Sequence, residues 1–249
     1  ICSIILSTAV SGFGESIKPG RDTVIQRDTI IQRDSVIQTD RSEADEALPE
    51  LDSTASKWAV PELMDAYKAG LTYPGVMSSF QKPITREEFC TVVVKLFEKL
   101  TGNVVVAGAS PFSDTSNPEI IKANQLGIVF GTGNSKFSPN LSITRQEISV
   151  MIYRALVNAI SDIDKSEGDS FPFTDKGQIA SWAMSAMKFC FKNKIINGVG
   201  DNKIVPLSNT TREQALVILK RAYASFSSDT GISVSDIAGG LIVKKPGTG

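Results

Sequence analysis

The segment LSITRQEISVMIYRAL, residues 141–156, decides the fold because two related copies of it occur elsewhere in the chain. One copy is KPITREEFCTVVVKLFEKL at 82–100, and the other is SNTTREQALVILKRAY at 208–223. In each copy a Thr-Arg pair is followed by Glu or Gln and then by apolar residues at helical spacing. Each copy carries one arginine at the same place: Arg86, Arg145 and Arg212. The chain therefore contains a triplicated helical unit.

The similarity between the second and third copies extends upstream of this segment. GIVFGTGNSKFSPNLSITR at 127–145 aligns without a gap with KIINGVGDNKIVPLSNTTR at 194–212. Further upstream, PFSD at 111–114 corresponds to PFTD at 172–175. A Trp-Ala pair opens the first and third copies, at Trp58 and Trp182, and the second copy lacks it.

Each copy predicts two helices joined by a loop. A turn that contains Asp52, Asp114 or Asp175 precedes a first amphipathic helix, and that aspartate either caps the helix or pins the turn. The helix is expected to end at a glycine turn, Gly131-Thr-Gly133 or Gly198-Val-Gly200. Thr85, Thr144 and Thr211 each precede Glu or Gln by three residues, which is the capping-box spacing at the start of the second helix.

Two helices joined by a Gly/Pro loop cannot bury their apolar faces alone, whereas three such pairs can share one core. The predicted fold class is therefore mainly α, with three helix-loop-helix repeats and a non-helical N-terminal spacer. The predicted divisions are a signal-peptide remnant (1–11), a spacer and acidic linker (12–50), three repeats (51–105, 106–165 and 166–226) and a C-terminal tail (227–249).

The N-terminal region precedes the repeats and carries two further patterns. ICSIILSTAV, at 1–10, is shorter than the roughly 20 residues that span a bilayer, and it predicts the remnant of a signal peptide, with a buried strand as the alternative. RDTVIQ, RDTIIQ and RDSVIQ follow one another at 21–38, a period of six that does not fit a coiled coil. We expect either a loose spacer or a stalk, in which residues 21–40 associate several chains.

Composition excludes several classes of function. The net charge is −1, so no overall field attracts nucleic acid, and the chain contains no histidine, the commonest general base and metal ligand. No catalytic residue, metal site or cofactor is predicted, and we expect a protein that is not an enzyme. Cys90 and Cys190 lie in apolar helical patterns and are expected to be buried thiols, with a disulfide between them left open.

The repeats resemble the S-layer homology family. The resemblance rests on the Phe-x-Asp entry, the Trp-Ala pair, the glycine turn and the Thr-Arg-Glu/Gln stretch, and it covers residues 51–226. It implies three repeats arranged as a pseudo-trimer around a central helix bundle. It further implies that grooves between adjacent repeats bind a cell-wall polysaccharide, such as an anionic pyruvylated glycan or a peptidoglycan-linked polymer.

Carried over position by position, the resemblance implies a set of ligand-binding residues: Arg86, Arg145, Arg212, Asp52, Asp114, Asp175, Gly131, Gly133, Gly198, Gly200, Trp58 and Trp182. Guanidinium groups suit an anionic ligand. Structural roles stay open for the same residues: the arginines could pair with an aspartate of a neighbouring repeat, the aspartates could pin turns, and the tryptophans could anchor the core instead of stacking on a sugar ring.

The sequence thus predicts a secreted protein that is anchored non-covalently at the cell surface through cell-envelope glycan. The alternative is a structural protein of a surface layer or stalk without glycan binding of its own. Neither reading requires nucleic acid or a membrane span.

Overall fold

The computed structural model describes residues 50–227, so the predictions made for residues 1–49 and 228–249 lie outside the described residues. Within residues 50–227 the protein is mainly helical and contains no β-strand, which confirms the predicted fold class. The six α-helices are α1 Val60–Lys68, α2 Arg86–Thr101, α3 Pro118–Gln125, α4 Arg145–Ala159, α5 Met184–Lys192 and α6 Arg212–Phe226. They form three pairs, each with a short helix followed by a long one.

The three long helices, α2, α4 and α6, begin at the motif arginines. Thr85, Thr144 and Thr211 are their N-cap residues, with extended backbone, and each takes part in a capping box. In α4, for example, Glu147 Oε2 accepts a hydrogen bond from the Thr144 backbone N–H at 2.8 Å. The predicted capping boxes are confirmed, and each N-cap is worth about 1 kcal/mol of stability.

Each long helix packs against the short helix of the next pair. α2 packs on α3, α4 on α5, and α6 on α1, while the three long helices also contact one another. Large side chains fill the space between them, and Phe80, Phe89, Phe137 and Phe189 are fully buried. Because the short helix of one pair is covered by the long helix of another, no pair could bury its apolar face alone.

Backbone hydrogen bonds join the segments that precede the three long helices into a closed ring. Ile84 N–H donates to Thr210 O at 2.9 Å, Thr210 N–H donates to Ile143 O at 3.0 Å, and Ile143 N–H donates to Ile84 O at 3.2 Å. All three residues are buried. The ring links the helical pairs in cyclic order; the predicted pseudo-trimer around a central bundle stays a prediction.

The short helices end before the glycine turns, and not at them as the sequence predicted. The residues that follow α1, α3 and α5 in the left-handed conformation are Gly70, Gly127 and Lys194. A residue with positive φ at this place ends a helix because the chain can no longer make the helical hydrogen bonds. The Gly-x-Gly turns lie four residues further on.

The two cysteines of the described region are unpaired. Cys90 and Cys190 are both fully buried, which confirms the expectation of buried thiols, and no disulfide joins them. Burial raises the pKa of both thiols well above the ordinary value, so neither is a nucleophile at neutral pH.

Candidate functional site

The three aspartates pin the loop that leads into the long helix of their own pair. Asp114 accepts hydrogen bonds from the backbone N–H groups of Phe137 and Ser138, both at 2.8 Å. Asp175 accepts from Ile204 and Val205 at 3.0 and 2.8 Å. These bonds tie each aspartate to a loop 23 to 30 residues further along the chain, whereas the sequence predicted that it would pin the turn that contains it.

Asp52 does the same for the first loop, with its carboxylate 2.6 Å from the backbone nitrogen of Ser79. The alternative that the aspartates cap the short helices is wrong. Those helices begin several residues later, where the N-cap residues are Ala59, Asn117 and Ala183. Ligand contact by the aspartates stays a prediction.

The two glycines of each Gly-x-Gly turn are required for different reasons. Gly133 and Gly200 have φ values of 110° and 114°, which side chains rarely allow. Gly131 and Gly198 instead lie under an aromatic ring and a carbonyl. A Cβ at Gly131 would lie 2.7 Å from Lys136 O, and one at Gly198 would lie 2.8 Å from a Phe173 ring carbon. The turns are therefore built for close packing of backbone.

The motif arginines reach from one helical pair to the loop of the next. Arg86 donates from Nη2 to Phe130 O and from Nε to Phe137 O, both at 3.1 Å. Arg145 donates from Nη2 to Asn197 O at 2.8 Å. Arg212 donates from Nη1 to Ser78 O at 2.8 Å. Each guanidinium thus joins two pairs through a main-chain carbonyl.

The carboxylates near these arginines are glutamates, not the aspartates that the structural alternative invoked. Arg212 Nη2 lies 2.5 Å from Glu88 Oε1, whereas Arg86 Nη1 lies 3.7 Å from Glu147 Oε1. Arg145 and Arg212 are buried. Burial lowers the pKa of Arg145 to about 10, so its guanidinium remains charged at neutral pH.

A cavity of about 330 Å³ opens beside Arg86. Its wall combines Phe130 and Gly131 of the second loop, the α4 face from Glu147 to Arg154, and Trp182 of the third pair. All three helical pairs therefore contribute to one concave surface that carries two guanidinium groups, one carboxylate and two aromatic rings. Such a mixture of charge and aromatic area suits a polar ligand with an apolar face.

The tryptophans are surface residues, so the prediction that they anchor the core is wrong. Trp58 is 54% exposed and Trp182 is 58% exposed. The following alanines, Ala59 and Ala183, are fully buried. Because each tryptophan precedes the N-cap of a short helix, only the alanine faces the core. Trp182 lies at the rim of the cavity, where the stacking role stays open.

The sequence analysis missed Phe130 and Arg154. The Arg154 guanidinium lies 4.7 Å from the centroid of the Phe130 ring, and its Nη1 donates to Ile128 O at 3.3 Å. One signal could have found this arginine: a basic residue recurs nine positions after each motif arginine, as Lys95, Arg154 and Arg221. Nine residues make two and a half turns of a helix, so Arg154 lies on the opposite face of α4 from Arg145 and faces a different groove.

Two classes of site are not seen in residues 50–227. No group of His, Cys, Asp and Glu side chains there could hold a metal ion. None of the described helices has the length and hydropathy needed to cross a membrane.

The fold and the groove define a repeat domain of paired helices with a ligand-sized cleft between the pairs. Comparison with known proteins identifies two of its segments: the family model of the S-layer homology domain matches residues 110–148 and 172–216. These segments contain the second and third loops and the starts of α4 and α6. Residues 51–105 lie outside the matched segments, and their assignment as a third repeat stays a prediction.

The relatives of the chain include proteins named as an endoglucanase, an exoglucanase and a surface-layer protein. An endoglucanase of Bacillus sp. (strain KSM-635) is 26% identical over 181 residues, which cover 70% of this chain and 18% of the enzyme. Exoglucanase XynX of Acetivibrio thermocellus is 31% identical over 147 residues, which cover 55% of this chain and 13% of the enzyme. The surface-layer 125 kDa protein of Lysinibacillus sphaericus is 28% identical over 173 residues, which cover 67% of this chain and 14% of that protein.

The matches cover less than a fifth of each of these relatives. What they share with this chain is therefore one region of a much longer protein, and the enzyme names are not carried over to it. The S-layer homology segments and the surface-layer relative associate the chain with the cell envelope.

Proposed function

We propose that this chain anchors an exported protein to the cell envelope by binding an anionic cell-wall polysaccharide in grooves between its helical pairs. The observation that carries the proposal is the cavity beside Arg86, which brings Arg86, Arg154, Phe130 and Trp182 together. Guanidinium groups bind carboxylate or phosphate on a glycan, and an exposed aromatic ring stacks on the apolar face of a sugar.

In this proposal the remaining predicted residues hold the loops that border the grooves and do not contact the ligand themselves. The aspartates and the Gly-x-Gly glycines fix the loops, and Arg145 and Arg212 hold the loops of the third and first pairs. We propose that residues 51–105 form a third, diverged repeat, because α1 and α2 repeat the capping box and the Asp-to-loop bonds of the other pairs. A pyruvylated glycan supplies the carboxylate that this chemistry needs.

The test is sedimentation of the whole chain with isolated cell walls. Walls that retain their anionic polymer should pull the chain into the pellet, and walls from which that polymer has been extracted should leave it in solution. Trp182→Ala should weaken pelleting because it removes the exposed ring at the cavity rim. A chain that pellets equally with both kinds of wall would show that the polymer is not the ligand.

The match to a surface-layer protein over 67% of the chain favours a second candidate, a structural role in a surface lattice or stalk. In that case residues 21–40 would associate several chains. Light scattering decides between the two, because a lattice or stalk protein forms oligomers that disappear when residues 21–40 are deleted. A monomer before and after deletion would exclude this candidate.

A further inference from the structure

Two regions of this protein correspond in the repeats and differ in charge. We call the cavity lined by Arg154 of α4 and by Trp182, which precedes α5, the α4–α5 groove. We call the contact between α6 and α1 the α6–α1 groove; it contains Arg221 of α6, nine residues after its motif arginine. The helices α4 and α6 have the same length, and each packs against the short helix of the next pair.

In the α4–α5 groove the guanidinium of Arg154 has no acidic partner. Among residues 50–227 no carboxylate lies within ion-pair distance of it, and its contacts are the Phe130 ring and one carbonyl oxygen. It is partly exposed and lines the cavity. Its positive charge is therefore available to a ligand.

In the α6–α1 groove the corresponding guanidinium is already paired. Arg221 donates from Nη2 and Nε to Glu62 Oε1 at 2.9 and 3.1 Å. Lys220 Nζ lies 3.2 Å from the other oxygen of the same carboxylate. Glu62 thus gives Arg221 a charge-assisted contact in which two N–H groups donate to one carboxylate oxygen.

One position on the short helix accounts for this difference. Glu62 lies three residues after Ala59, the N-cap of α1, and Ala186 lies three residues after Ala183, the N-cap of α5. The register is the same in both helices, because Gly70 and Lys194, each eight residues further on, both have positive φ. The buried Ala186 therefore has a methyl group at the position where α1 has the Glu62 carboxylate.

The ring beside the arginine also differs between the two grooves. Phe130, over which Arg154 lies, corresponds to Asn197 in the gap-free alignment of the two loops. The α6–α1 groove consequently lacks both the free cation and this aromatic surface.

We propose that, of these two grooves, the α4–α5 groove takes the anionic group through Arg154, and that Glu62 acts as an internal carboxylate that blocks Arg221 in the α6–α1 groove. This inference rests on the proposed function and identifies which groove performs it. Arg154 becomes the ligand-binding cation, and Glu62 becomes the residue that determines the number of usable grooves.

The experiment measures binding isotherms of the whole chain on isolated walls that carry their anionic polymer. Arg154→Gln should weaken binding at least tenfold, whereas the matched variant Arg221→Gln should bind as the unchanged chain does. Adding Glu62→Ala to Arg154→Gln should restore part of the binding, because it frees Arg221 in a groove that still lacks the ring of Phe130. Circular dichroism and thermal melts check folding, and Glu62→Gln replaces Glu62→Ala if the alanine variant melts early.

The outcomes separate the two levels of the proposal. If the unchanged chain does not bind walls, the proposed function fails. If it binds and Arg154→Gln binds equally well, or if Arg221→Gln loses as much affinity, the choice of groove is wrong. If Arg154→Gln loses binding and removal of the Glu62 carboxylate restores none of it, Glu62 is not the blocking residue.

Discussion

The first and second loops, residues 70–85 and 127–144, share several structural features but differ in their turns and in their length. Each begins with a glycine of positive φ, contains a fully buried phenylalanine and accepts hydrogen bonds from an arginine of another helical pair. The first loop has a short 3₁₀ turn at Pro74–Val76 where the second has a Gly-x-Gly turn. It is also shorter, with five positions from Phe80 to Thr85 against seven from Phe137 to Thr144.

The two loops also differ in the partners of the arginine that reaches each of them. Arg212, which reaches the first loop, forms a close ion pair with Glu88, with 2.5 Å between Nη2 and Oε1. In the second loop the corresponding glutamate lies 3.7 Å from Arg86, whose closer partners are main-chain carbonyls. Arg86 is therefore held mainly by hydrogen bonds to carbonyls, with a longer ion pair than that of Arg212. The two loops thus bind their arginines through different partners.

The largest loss of stability is expected from replacing Arg212, the arginine of α6 that binds the first loop. Arg212→Gln should lower the free energy of unfolding by about 3 kcal/mol or more, because it leaves the largely buried Glu88 carboxylate without its cationic partner. Arg86→Gln should cost only about 1–2 kcal/mol, since it removes hydrogen bonds and no close ion pair. Urea unfolding measures both. Equal losses would contradict the distinction between the two loops.

The next effect concerns the glycine turns that the first loop lacks. Gly131→Ala and Gly198→Ala should each lower the free energy of unfolding by about 2 kcal/mol, because the added methyl group overlaps a carbonyl oxygen and an aromatic ring. Gly177→Ala is the matched control, since a Cβ at Gly177 meets no atom within 4 Å. If all three variants unfold at the same urea concentration, close packing does not explain these glycines.

A smaller effect, of opposite sign, is expected in the hydrogen-bonded ring that connects the loops. Thr210 occupies the place of Ile84 and Ile143, and its buried hydroxyl has no hydrogen-bond partner among the described residues. Thr210→Val keeps the shape and removes this unsatisfied group, so we expect a gain of about 1 kcal/mol in the free energy of unfolding. Ile143→Thr makes the converse change and should destabilise. A loss on Thr210→Val would mean that the hydroxyl is satisfied in solution.

Local sequence signals predicted the elements well and their mutual contacts poorly. The capping boxes at Thr85, Thr144 and Thr211 depend on residues three apart, so the sequence alone contains the whole interaction. The outward direction of Trp182 depends on where α5 begins, which the sequence alone did not define, so core anchoring and sugar stacking both stayed open. The left-handed conformation after α5 was equally hard to foresee, because Lys194 stands where the other pairs have glycine.

The site required contacts between distant segments. The ion-pair partner of Arg221 is Glu62, at the opposite end of the described chain, and the corresponding position of α5 is Ala186. Repeat alignment compares each residue with its counterpart, but it does not show which counterparts meet. The cyclic packing of α6 on α1 supplies that information.

The last prediction concerns the aspartates that hold the loops, and it is a pH effect. Hydrogen bonds from the backbone N–H of Phe137, and then from that of Ser138, hold the pKa of Asp114 below its ordinary value. A carboxyl group whose pKa is lower in the folded protein stabilises it above its unfolded pKa, which is about 3.9. That contribution is lost as the pH falls through the lower, folded pKa.

Asp114→Asn should therefore be less stable than the unchanged chain at pH 7, and the difference should narrow as the pH falls below about 4. Urea unfolding between pH 2.5 and 7 measures the two curves. Asp169→Asn is the control for the loss of one negative charge, since Asp169 is exposed and makes no hydrogen bond or ion pair within residues 50–227. A difference between Asp114→Asn and the unchanged chain that stays constant with pH would mean that the negative charge of Asp114 does not help to hold the second loop.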